Sequence, residues 1–104
     1  MVDYIYTDTT PPQLAAKDVN DVLDYLFDFT SVLTKYGGDT IKNKTITADG
    51  GITVDGSTIV NSNTAVQVWL SGGTVDTDYT VICKATTAAG RVFERSMVLS
   101  VSAL

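Results

Sequence analysis

Cys83 is the natural place to look for chemistry, because it is the single thiol in a chain of 104 residues that contains no histidine. A thiolate nucleophile needs a base to take its proton, and so does an activated serine or threonine. Catalysis by a His-containing dyad or triad is therefore excluded. Zinc is equally poorly served, since its sites draw on several Cys or His ligands. The remaining reactive groups are carboxylates, 12 acidic residues against 7 basic ones. Asp24 and Asp28 flank Leu26 at a spacing that puts both carboxylates on one face of a strand. That invites a metal reading, but without further converging ligands a solvated face is the better account. No two acids stand out as a glycosidase pair. The glycine-rich turns lack the GxxxxGK pattern of a phosphate loop. The expectation is a chain that is not an enzyme and holds no metal or cofactor.

The elements that would position these groups centre on residues 64–101. Three strand-like runs, 64–71, 78–87 and 91–101, are broken by Gly72-Gly73 and Ala88-Ala89-Gly90. Val66, Val68 and Leu70 share one face of the first run, and Trp69 takes the other. Tyr79, Val81, Cys83 and Ala85 share a face of the second, and Phe93, Met97, Leu99 and Val101 a face of the third, with Arg95 among them. Cys83 in that company reads as a small buried hydrophobe. Tyr79 opens a strand after Asp76-Thr77-Asp78 and suits a tyrosine corner, with its ring filling one end of a sandwich and its hydroxyl bonded to upstream backbone. An exposed contact tyrosine is the alternative. Trp69 either marks an interface, where tryptophan is enriched, or is covered by the domain's own N-terminal segment. Arg91, Glu94 and Arg95 read as a surface charge set, and a buried Arg95 would need a partner such as Asp24 or Asp28.

Ahead of this stretch the pattern is also mainly β. Residues 21–29 read as a strand with Leu23, Tyr25, Phe27 and Phe29 on one face, and Leu26 at a contact on the other. Residues 13–19 read as one helical turn, and residues 30–36 as a connector. Ile41 and Ile46 in the next strand have odd spacing, so they share a face only across a bulge. Asp55-Gly56 between β-branched runs reads as a tight hairpin turn. Residues 1–16 form an extended N-terminal arm carrying Tyr4, Ile5, Tyr6 and Pro11-Pro12. It is read as a loose terminus, an edge strand, or a segment lying on a neighbouring subunit. Residues 17–104 then make one domain: a mainly β, immunoglobulin-like β-sandwich of about seven antiparallel strands.

The formal charge of −5 disfavours nucleic acid and anionic membranes as partners. The N-terminus lacks the basic start and apolar core of a signal peptide. No apolar run approaches the ~20 residues of a membrane span. A lone cysteine, which allows no disulfide within the chain, favours folding in the cytosol or stabilisation by assembly.

Two segments carry a resemblance. Lys17-Asp-Val-Asn-Asp-Val-Leu-Asp-Tyr-Leu-Phe-Asp-Phe29 is one. The other runs from Ile52-Thr-Val54 through Thr64-Ala-Val-Gln-Val-Trp-Leu-Ser-Gly-Gly73 and Asp78-Tyr-Thr-Val81 to Glu94-Arg95-Ser96. They resemble small virion structural proteins of tailed bacteriophages, of the fibre–tail adaptor type. The resemblance spans most of residues 17–101 and is weak over 32–44. It implies an immunoglobulin-like fold, no catalytic residues, and an oligomeric adaptor joining neck and tail components. It also implies a virion location after assembly in the host cytoplasm, and a ring or lattice of copies contacting portal, tail or capsid proteins. Capsid or tail decoration is the alternative within that class, and a carbohydrate- or cell-surface-binding sandwich using loops such as 7–10 or 61–63 is the alternative outside it. The interface expected from the residues is Tyr4, Ile5, Tyr6, Leu26 and Trp69.

Overall fold

The computed structural model describes the backbone of residues 2–6 and 13, and residues 14–104 in full. Pro11-Pro12 and residues 7–10 lie outside the described residues, as do the side chains of Tyr4, Ile5 and Tyr6. Among the described residues, eight strands and one short helix follow in the order β1 (Val2–Tyr6), β2 (Gln13–Asp18), β3 (Leu23–Asp28), α1 (Thr30–Lys35), β4 (Ile41–Ala48), β5 (Ile52–Val60), β6 (Ala65–Gly72), β7 (Thr77–Thr87) and β8 (Val92–Ser102). They form two four-stranded sheets, β1-β3-β6-β5 and β2-β8-β7-β4, that pack as a β-sandwich. The expected mainly β sandwich is present, and its two sheets draw β1 and most of β2 from the segment expected to form an N-terminal arm. Its sheets are mixed: β1 pairs with β3 and β2 with β8 in parallel, and the remaining ladders are antiparallel.

The core is made by the alternation of β3, β6, β7 and β8. Tyr25, Phe27, Val66, Val68 and Leu70 from one sheet meet Val81, Cys83, Met97, Leu99 and Val101 from the other, all fully buried. Burying each such side chain contributes on the order of 1.5–3 kcal/mol. Gly73, at φ +97°, turns the chain from one sheet to the other beneath this core. A Cβ there would sit 2.8 Å from Val101 Cγ2 and 3.1 Å from Ile52 Cδ1, so the crossover has room only for glycine.

Three local expectations are corrected. Residues 13–19 do not form a helical turn: Gln13–Asp18 extends along β8, because the β8 backbone offers a free ladder that a single isolated turn cannot match. Residues 30–36 are more than a connector. Phe29, Val32 and Leu33 fall at helical spacing and are buried, and Asp28 Oδ1 accepts the Thr30 backbone N–H at 2.9 Å, so a helix forms. Asp55-Gly56 is not a hairpin turn. Both flanking runs pair with β6 as one strand, and the extra residue is absorbed as a bulge between Val54 and Gly56. The hairpin instead closes at Asn61-Ser62-Asn63, all with positive φ. The bulge expected between Ile41 and Ile46 is present, with the register shifting between Ile41 and Asn43.

Candidate docking surfaces

Strand alternation decides what faces outward on the β1-β3-β6-β5 sheet. Since Val66, Val68 and Leu70 point into the core, Gln67 and Trp69 must point out. Trp69 is 41% exposed. Its register partners are Asp24 on β3 and Gly56 on β5. Leu26 lies two residues on from Asp24, on the same face, half-buried and opposite Gln67. The Gln67 side-chain amide donates to Asp24 Oδ2 at 2.7 Å, which satisfies a carboxylate that is 6% exposed. The backbone of Tyr4 pairs with that of Leu26, so the register brings the Tyr4, Leu26 and Trp69 positions to one sheet; Ile5 pairs with Phe27 and Tyr6 with Asp28. β1 joins the sheet at its edge, one strand removed from β6.

Tyr79 and Cys83 sit on the inner side. Tyr79 is 6% exposed, and its hydroxyl oxygen accepts the Thr74 backbone N–H at 2.8 Å, tying the 73–76 turn to β7. Hydrogen bonding to Thr74 holds this phenol below its ordinary value. Cys83 is fully buried, and desolvation pushes its thiol up to about 12. A buried thiol so held stays protonated at neutral pH, and the thiolate is the reactive form. Asp24 and Asp28 are spent on local hydrogen bonds, to Gln67 and Thr30. Among the described residues no three His, Cys, Asp or Glu side chains gather as a metal site. Arg95 does not reach Asp24 or Asp28: one guanidinium nitrogen donates to the Glu94 carbonyl, and the group stacks on Phe93.

Two polar constructions escape the sequence pattern. Lys17 is fully buried, and its ammonium donates to three backbone carbonyls, those of Asp18, Val19 and Asp21, at 2.6, 3.3 and 2.8 Å. It closes the β2–β3 turn from inside. Asp39 joins the other end: it accepts from the Thr40 and Ala89 backbone N–H groups and pairs with Arg91 at 2.9 Å. The Thr87 hydroxyl first, and Arg91 with these amides, hold its carboxyl below the usual value. Only the hydrogen-bonding capacity of aspartate between Gly38 and a strand could have flagged it.

Among the described residues, Trp69 is an aromatic side chain exposed on a sheet face. Residues 17–100 match the family model described as podophage GP4 fiber-tail adaptor protein gp77. The chain belongs to this family. Membership makes it a phage structural adaptor and a virion component that binds other virion proteins. No curated protein matches the chain. Among solved structures, the adaptor chain is similar to the cysteine protease inhibitor EhICP2 from Entamoeba histolytica. The identity is 8% and the TM-score 0.57, over 96% of this chain and 94% of that one. At that identity the likeness speaks for the fold alone.

Proposed function

We propose that this adaptor is oligomeric, joins neck and tail components, and uses the outer face of the β1-β3-β6-β5 sheet as its docking surface. The observation that carries the reading is Trp69, 41% exposed on a sheet face with Leu26 beside it. Tryptophan is enriched among the few residues in which interface energy concentrates. Residues 1–16 supply a second contact. The parallel β1–β3 pairing made within one chain is also available between chains, at little cost, if β1 is exchanged with a neighbour. A lone buried Cys83 fits assembly in the reducing host cytoplasm.

The test is phage complementation with Trp69→Ala. The variant should keep its circular dichroism spectrum and cooperative melt yet be missing from purified particles. Wild-type amounts of the variant in particles would refute the role given to this face. Deleting residues 1–12 in a parallel strain asks the same of the N-terminal arm.

A further inference from the structure

The cations of this chain are segregated. Strands β1, β3, β5 and β6 contain no lysine or arginine. The turns 18–22, 49–51 and 73–76 meet at one end of the sandwich, held by Gly73 N–H to Gly51 O and Asp76 N–H to Val101 O. That end carries Asp18, Asp21, Asp49, Asp76 and Asp78. Its lysine, Lys17, is fully buried on three carbonyls. The other six cations, Lys35, Lys42, Lys44, Lys84, Arg91 and Arg95, lie on or beside α1, β4, β7 and β8, toward the opposite end. Among the described residues, Asp28, Asp39 and Glu94 are the acids beside them, which leaves those residues net positive. The molecule is 43 Å long and 24 × 23 Å across. A Debye length of about 8 Å at physiological salt makes the two ends electrically independent patches.

Both patches also carry exposed apolar groups. At the cationic end Arg91 lies 4.9 Å over the Tyr36 ring, Tyr36 stands 5.9 Å from Phe93, and Arg95 lies 5.7 Å from Phe93. This preset stack of arginine and aromatic side chains has Tyr36 48% exposed and Val92 53% exposed. Arginine and aromatics are the residue types in which interface energy concentrates. At the acidic end Val22 is 55% and Val75 37% exposed. Like ends repel and unlike ends attract, so self-association through these patches has a direction.

We propose that the cationic, aromatic end of one copy docks on the acidic end of a second copy, head to tail. The contact is heterologous and closes into a ring where the rotation per copy allows it. The inference rests on the oligomeric adaptor reading and names the surfaces that make the oligomer.

The experiment is sedimentation velocity of the full chain at low and high salt, with two charge-reversed variants at exposed positions. Lys35→Glu with Lys84→Glu alters the cationic end, and Asp21→Lys with Asp78→Lys the acidic end. Wild type should associate at low salt and do so at least about tenfold more weakly near 0.5 M salt. Each variant alone should stay monomeric, and an equimolar mixture should associate again, because each supplies the end the other lacks. Association that persists in both variants, or a wild type that is monomeric at low salt, would overturn the inference. A wild type that enters particles without charge-dependent association would sink this inference and leave the adaptor reading standing. Absence from particles would sink the adaptor reading itself.

Discussion

Replacing Lys17 with methionine should destabilise the domain by about 3 kcal/mol, although the new side chain fills nearly the same volume. The ammonium donates to the carbonyls of Asp18, Val19 and Asp21 at 2.6, 3.3 and 2.8 Å. Hydrogen bonds to a charged group contribute roughly 1.5–3 kcal/mol each, with the long Val19 contact at the low end. Two terms offset that gross gain. Methionine removes the desolvation penalty of a buried ammonium, which is several kcal/mol. The Asp21 carbonyl, on an exposed residue, can take up water once the lysine is gone. The net is the modest figure above, equivalent to a fall in melting temperature of about 15 °C for a domain of this size. The assay is thermal and urea unfolding with an unchanged urea slope. Native-state hydrogen exchange at residues 18–22 should rise with it, because the turn loses its internal tether. A melting temperature within about 3 °C of wild type, or unchanged exchange in that turn, would refute the argument that the ammonium organises it.

Two further outcomes follow from the inner face. Tyr79→Phe removes the acceptor for the Thr74 backbone N–H while leaving the ring; a loss of about 1–2 kcal/mol is expected in urea unfolding, with faster exchange of the Thr74 amide. Cys83 should resist thiol reagents at pH 8 in the native chain and react at once in denaturant. Its folded thiol sits at about 12 against an ordinary 9.0. Because the folded value is the higher one, the associated stability is present below about pH 9 and is lost as pH rises from there toward 12. Unfolding midpoints from pH 8 to pH 10.5 should therefore fall more in wild type than in Cys83→Ala.

The strands that make the core were legible because their alternation is nearly unbroken. From Val66 to Leu70 and from Tyr79 to Ala85, every second residue is apolar, and a two-residue period on both sides of glycine turns admits little besides a sandwich. The same parity put Trp69 outside. The edges were not legible, for reasons visible in particular residues. β2 turns Lys17 inward and leaves Leu14 79% exposed, the reverse of the usual pattern, and it is held in place by β8. Asp55-Gly56 is an equally good signal for a hairpin and for a bulge, and only the uninterrupted β6 ladder chooses between them. Helix α1 left a trace in the spacing of Phe29, Val32 and Leu33, which a single turn of sequence is too short to make decisive.

The amino-acid sequence by itself determined the class of fold, the lack of histidine chemistry and the outward placement of one indole, since each depends on local alternation or composition. Which strands became edges, how Lys17 came to be caged by carbonyls, and the gathering of acidic turns at one end against cations at the other were decided only in three dimensions. Those features join residues far apart in the chain, and no short-range pattern encodes which turns will meet.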